Sequence, residues 1–339
     1  MATIYDIAKA ANVSIATVSK VMNRNGRISD KTRKRVLAIM DEMNYQPSVV
    51  ASALTKKRTY TIGLMIPDLA NPFFAELARS VEDRAQELGF NVVICNTDNQ
   101  VDKEEKYIGL LKQKGVDGIV MATGAHHYAL VKKLFQQKQT IAVIARDMPA
   151  LAVDAVLVDD YLGGRLAAGH LLGLGHRRIA VIAEGQDVMS SWERVRGCRH
   201  AMEEAGLTLE DHQVRVSAFL VQDGKATAGA LLDEADPPTA IFACNDVLAI
   251  GAIQAARERG MRVPQDLSVV GFDNTILATI IDPPLTTIAQ PISEIGRQVM
   301  DLISKEIGGE SADKRRIVLM PELIVRGSTG MLETAQPKG

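Results

Sequence analysis

Along the first segment of the chain, apolar positions repeat at helical spacing. Ile4, Ile7, Ala8 and Ala11 fall on one face, and Asn12-Val13-Ser14 then interrupts the pattern and offers Ser14 as the N-cap of a second short helix. In that helix Val18 and Met22 lie one turn apart on the side predicted to be buried, which leaves Ile15, Ala16, Ser19, Lys20 and Asn23 along the opposite face. A third helix, capped at Ser29, is predicted to bury Val36, Ile39, Met40 and Met43. Tyr45-Gln46-Pro47 ends this run, since proline disfavours helix at the residue before it. Ser48 to Leu54 then reads as a capped turn or two of helix, too short to be stable alone.

After Thr59 the texture changes to short β-rich runs alternating with helix-period segments. Ile62–Ile66 precedes a helix near 73–88, Val92–Cys95 one near 103–114, and Gly118–Met121 one near 128–137. The same unit resumes with Ile179–Ile182, Val214–Val216, Ala240–Ala243 and Leu267–Val270. Strands alternating with helices imply parallel, doubly wound sheets, and this many units imply two of them. In such α/β folds ligands lie at the carboxyl ends of the strands, here in a cleft between two halves.

Charge divides the chain at the same place. Residues 1–58 hold eleven Lys and Arg against Asp6, Asp30, Asp41 and Glu42, a net of about +7, so the overall −2 leaves about −9 on the remainder. A basic headpiece on an acidic body is the footprint of one part that meets a polyanion, and nucleic acid is the first partner to test. With 339 residues and 47% apolar side chains, the chain can bury two or three cores. No apolar run approaches the roughly 18 residues of a membrane span, and the N-terminus lacks the pattern of an export signal. Cys95, Cys198 and Cys244 are few and far apart, which suits buried free thiols in a reducing cytosol. The nucleotide-binding glycine motifs and the nucleophile elbow are missing. The histidines lack metal-ligand spacing, so neither catalysis, a metal nor a cofactor is expected.

Three short helices can form an ordinary bundle or a helix-turn-helix, whose second helix enters the major groove. The run Thr3-Ile4-Tyr5-Asp6-Ile7-Ala8-Lys9-Ala10-Ala11-Asn12-Val13-Ser14-Ile15-Ala16-Thr17-Val18-Ser19-Lys20-Val21-Met22-Asn23 resembles the headpiece of the lactose/galactose-repressor family of bacterial transcription regulators. The resemblance implies DNA contacts from Thr3, Tyr5, Ser14, Ile15, Ala16, Thr17, Ser19, Lys20 and Asn23. It also makes Tyr45 to Leu54 a hinge helix that folds in the minor groove when two subunits meet, with contacts from Ser48 and Ala51 and with Leu54 wedged between base pairs. Ser52 stands where many members carry arginine.

Residues 60 to about 329 resemble the effector body of the same family and the periplasmic sugar-binding proteins. The markers include Asn71-Pro72-Phe73-Phe74, Gly115-Val116-Asp117-Gly118, Leu174 to Ala180, Asn245-Asp246, Gly271-Phe272-Asp273-Asn274 and Asp282 to Pro291. The implied organisation is a headpiece over 1–46 and a hinge over 47–58. One subdomain then comprises 60–160 with 290–318, a second 161–289 with 319–329, and a tail covers 330–339. The implied effector site comprises Asn71, Phe73, Phe74, Arg146, Arg194, Asn245, Phe272, Asp273 and Gln290, whose amide, carboxylate, guanidinium and aromatic groups suit a neutral polyol. Arg194 matches the arginine of an Arg-x-x-Gly-aromatic motif in which Cys198 replaces the aromatic. Trp192 is placed either to stack on a ring or to pack.

The implied protein is a homodimer that binds a pseudo-palindromic operator, needs no membrane, and responds to a small effector, a sugar or related metabolite. Ribose-type members carry Asp-Arg-Asp where this chain reads Ala145-Arg146-Asp147. Members that answer to a phosphorylated carrier protein usually place tyrosine where Ser293 stands. A solute-binding protein is the rival of another class, and it leaves the basic headpiece unexplained.

Overall fold

The computed structural model describes residues 2–22, 26–45, 58–122, 128–145, 151–185, 188–310 and 313–332. The chain divides into two compact units, residues 1–59 and 60–339.

The first unit holds α1 (Ile4–Ala10), α2 (Ile15–Met22) and α3 (Asp30–Glu42). Each begins at a side chain that accepts an otherwise orphaned amide. Thr3 and Asp6 form a reciprocal capping box, Ser14 Oγ accepts the Thr17 amide at 3.1 Å, and Ser29 Oγ accepts that of Thr32 at 3.3 Å. Ile7, Ala8, Ala11, Val18, Val21 and Val36 form the core. Val21 therefore takes the place predicted for Met22, which is half-buried. Met43 is exposed rather than buried, because it lies beyond the last turn of α3. Ile39 and Met40 pack only partly.

In the second unit, the chain first lays down β1 (Thr61–Ile66), α4 (Pro72–Glu87), β2 (Asn91–Asn96), α5 (Val101–Lys114), β3 (Gly118–Met121), α6 (Tyr128–Gln136), β4 (Ile141–Ile144) and β5 (Asp154–Val158). It continues with α7 (Asp160–Gly173), β6 (Ile179–Ala183), α8 (Met189–Glu204), β7 (Val214–Val216), α9 (Val221–Leu232), β8 (Ala240–Ala243), α10 (Asp246–Glu258), β9 (Ser268–Asp273), α11 (Ile276–Ile280) and β10 (Thr286–Ala289). It closes with α12 (Ile292–Gly308), β11 (Arg316–Leu319) and β12 (Glu322–Ile324). One sheet has the order β11-β5-β4-β3-β1-β2, all parallel, and the other β12-β10-β9-β8-β6-β7, parallel except for β12 against β10. The chain thus passes from the first sheet to the second after β5, returns after β10, and passes over again between β11 and β12.

Alternation along each strand serves two apolar layers. In β1, Ile62, Leu64 and Ile66 face the α4 and α12 side while Met65 faces the core on the opposite side, as expected of a parallel sheet covered on both faces. Helices α7 and α8 cross very closely. A Cβ on Gly164 would fall 1.9 Å from the Arg194 carbonyl oxygen, and one on Gly197 2.0 Å from that of Tyr161. The glycine three residues after Arg194 is therefore a packing requirement that fixes where Arg194 starts from.

Candidate functional site

On the headpiece, Tyr5, Ser14, Ile15, Ala16 and Lys20 are exposed, whereas Thr17 and Ser19 are half-buried. Ser14 and Thr17 bond each other at 2.9 Å, so both serve the α2 cap, and Thr3 is exposed but engaged in its capping box. Asn23, Ser48, Ala51 and Leu54 lie outside the described residues. The exposed face thus offers a lysine, two small apolar groups and a helix N-terminus, which suits the edge of a base pair and a phosphate.

In the body, the carboxyl ends of both sheets converge on a cavity of about 340 Å³, within the range of small-molecule sites. From the first sheet comes Asn71, whose Oδ1 caps α4 by accepting the Phe73 amide at 3.0 Å. Phe73 and Phe74 meet edge to face with ring centroids 5.0 Å apart. Asp98, Asn99 and Ala145 follow their strands with positive φ, a conformation that L-residues hold only where the surroundings enforce it.

Arg194, in the second turn of α8, is the centre of the opposite wall. Its Nε donates to Asp160 Oδ1 at 2.8 Å, one terminal nitrogen donates to the Cys244 carbonyl and lies 3.8 Å from Asp273 Oδ1, and its plane covers the Phe272 ring at 3.6 Å. Burial lowers the Arg194 pKa, but Asp160, Asp273 and Glu184 outweigh it and hold the group above its ordinary value. Burial raises the carboxyls of Asp160, Glu184 and Asp273, with Arg194 opposing in each case. Asp273 Oδ1 also accepts from Gln290 Nε2 at 2.7 Å, and its φ of 112° places it in strained backbone at the cavity wall. Beneath it, Asp246 accepts from Thr275 and Thr287, which fixes the loop that carries Asp273; burial pushes the Asp246 carboxyl up to about 6.

Asn245 both caps a helix and joins the cavity wall. Its Oδ1 accepts the Leu248 amide at 2.8 Å to start α10, while Nδ2 donates to Glu184 Oε1 at 2.9 Å in the cavity wall.

Residues 3–48 match the model of the bacterial regulatory proteins of the lacI family, and residues 168–329 match that of the periplasmic binding protein-like domain. The transcriptional regulator DegA of Bacillus subtilis is 51% identical over 335 residues, covering 98% of this chain and 99% of DegA. The chain belongs to the LacI family. The ribose operon repressor of Halalkalibacterium halodurans is 40% identical, with 97% of both proteins covered. The solved lac repressor dimer bound to operator and the anti-inducer ONPF is 28% identical, with a TM-score of 0.88 over 97% of this chain and 99% of that one. This LacI-family chain is accordingly a DNA-binding transcription regulator, with the family's helix-turn-helix ahead of two α/β subdomains.

The cavity of this LacI-family regulator brings together Asn71, Phe73, Phe74, Arg194, Asn245, Asp273 and Gln290. Two expected site residues do not line it. Phe272 is fully buried, because neighbours along a strand point to opposite faces and Asp273 takes the cavity side; Phe272 supports Arg194 from behind. Trp192 lies two residues from Arg194, more than half a turn around α8, and packs against the second core with its indole N–H donated to the Gly185 carbonyl at 3.2 Å. Arg146 lies outside the described residues. Sequence reading missed Asp68, Asp98, Asn99, Glu184, Met189, Phe219 and Leu220, all of which line the cavity. Glu184 and Asp98 stand one and two residues beyond the ends of β6 and β2, and that position was the available signal. Cys95, Cys198 and Cys244 are buried free thiols; burial pushes Cys95 up to about 11 and Cys244 up to about 12. No helix among the described residues is long and apolar enough to cross a membrane.

Proposed function

We propose that the chain acts in the cytoplasm as a homodimeric repressor that reads a pseudo-palindromic operator and answers to a small polyhydroxylated effector, a sugar or close relative, bound without chemical change. Residues 1–46 hold the operator's major groove and 47–58 form the hinge, with Leu54 as the minor-groove wedge. The effector sits between one subdomain (60–160 with 290–318) and the other (161–289 with 319–329).

The observation that carries this reading is the cavity's two-sided wall. Asn71 and Phe74 come from the first sheet, and Arg194, Asn245 and Asp273 from the second, so a ligand that touches both sets favours one relative orientation of the two halves. The polar groups there match a sugar's hydroxyls, and Phe74 offers aromatic surface to its apolar side. The name of the 40%-identical ribose operon repressor agrees with this ligand class. A thermal-shift screen of sugars, nucleosides and purine bases tests it. A sugar that raises the melting temperature of the parent should lose that effect in Gln290→Ala and should change operator affinity. A nucleoside or purine base as the sole hit would move the effector out of the sugar class.

A further inference from the structure

We propose that the cleft selects a sugar that carries a protonated amine, with Glu184 as the specificity-determining group that pairs with the ammonium. This rests on the reading of the cleft as the effector site and narrows the ligand's chemistry.

The charge balance of the wall points to a cation. Among the described residues lining the cavity, Asp68, Asp98, Glu184, Asp223 and Asp273 face a single guanidinium, that of Arg194. Arg194 has Nε on Asp160 and one terminal nitrogen between Cys244 and Asp273, and its charge is offset by Asp160, Asp273 and Glu184. Among the described lining residues the carboxylates thus outnumber the guanidinium, a balance that disfavours a phosphorylated or carboxylated sugar. Three of the acids have local partners that explain them. Asp98 pairs with Lys103, Asp68 Oδ1 accepts the Ala70 amide at 2.9 Å, and Asp223 accepts the Leu220 amide at 3.0 Å. Asp273 holds Gln290 and the edge of Arg194.

Glu184 is different. It follows β6 directly, is 8% exposed and lines the cavity, and its backbone amide is fixed by donation to Ser191 Oγ at 3.0 Å. Asn245 Nδ2 donates to its Oε1, and the charge of Arg194 acts on it from across the wall, although the hydrogen bonds of Arg194 go to Asp160 and the Cys244 carbonyl. Buried carboxylates are paired with a cation or kept neutral. Burial raises the Glu184 carboxyl, and Arg194 and Asn245 oppose the rise. A ligand ammonium gives Glu184 a directly bonded cation, and a charge-assisted bond is stronger than one to a neutral hydroxyl.

The test compares ligands that differ only at the amine, titrated calorimetrically into the full-length chain. The probes are D-glucosamine, D-galactosamine and D-mannosamine, their 2-hydroxy parents, their N-acetyl forms, glucose 6-phosphate and glucuronate. At least one amine should bind about tenfold or more tightly than both its parent and its N-acetyl form, as expected when a charged hydrogen bond replaces a neutral one. Glu184→Gln, nearly the same shape without the charge, should bring that ratio close to one. Should the variant fail to fold, the comparison among ligands on the parent chain still decides. Equal binding of amine and parent, preference for an anionic sugar, or no binding by any of the three amines overturns the proposal; the first two leave the effector reading standing. An amine whose affinity is unaltered in Asp273→Ala binds outside the cleft, and the effector reading then fails with the proposal.

Discussion

Arg194→Ala tests the electrostatics of the cleft floor most severely. The substitution removes the cation that faces Asp160, Glu184 and Asp273, all buried, and leaves the Phe272 ring uncovered. Breaking a buried pair by removing one partner costs about 3–5 kcal/mol, because the remaining charge is left uncompensated. At about 2–4 °C per kcal/mol for a unit of this size, the melting temperature should fall by roughly 10 °C at neutral pH. Trp192, the only tryptophan, packs on the core beneath α8 and gives a fluorescence probe of this region. The pH dependence has a definite sign. Carboxyls whose folded-state pKa is raised bind more protons folded than unfolded, so their stabilisation is present below the unfolded value of about 4 and is lost as pH rises through the folded values. Arg194 opposes that rise in the parent. Without it the folded values climb further and the loss extends to higher pH, so the gap between variant and parent should widen from pH 5 to pH 8. Arg194→Met, which keeps the aliphatic stem, should show the same trend. A gap below about 1 kcal/mol throughout, or one that narrows as pH rises, would refute the assigned balance of burial and charge.

Asp273→Gly should leave the melting temperature equal to or above that of the parent, since glycine accepts the φ of 112° without strain worth about 1–3 kcal/mol, while effector affinity falls about tenfold or more; thermal shift with and without ligand reads both. Gly197→Ala forces α7 and α8 apart and displaces Arg194, so it should destabilise by at least the 1–3 kcal/mol typical of overpacking and abolish ligand binding, as urea unfolding and calorimetry would show. Lys20→Ala should cost about 1–3 kcal/mol at one base pair of each half-site, measured on an operator mutation series; a uniform loss across sequences with a shallower salt slope would make Lys20 a phosphate contact instead.

Much of the fold is written locally. The second and third headpiece helices announce themselves through Ser14 and Ser29, each a hydroxyl placed to accept a first-turn amide; the capping box of Thr3 emerged only in the structure. Strands such as Ala240–Ala243 are short apolar runs bounded by turns and need no partner to be recognised. Strand β12 is three residues long and β11 alternates at a sheet edge, so neither carries a signal apart from the pairing it makes. The site was legible where a motif carries it, as at Arg194 and Asp273. Glu184 has no motif: one acidic residue after a strand looks like any solvated turn until both sheets close over it. Phe272 was drawn into the site by proximity in sequence and Trp192 was left between stacking and packing, although the two-residue period of a strand and the 100° step of a helix turn both from the cavity once Asp273 and Arg194 are assigned to it.

A ligand-controlled repressor requires that ligand in the cleft and operator at the headpiece be coupled. Operator affinity, followed by fluorescence anisotropy across concentrations of the sugar that stabilises the parent chain, tests it directly. Saturating sugar should change operator affinity about 5–150-fold, the usual span of allosteric coupling, and the midpoint for Asp273→Gly should move to at least tenfold higher sugar. An operator affinity indifferent to saturating sugar, or the same midpoint in parent and variant, would contradict the account.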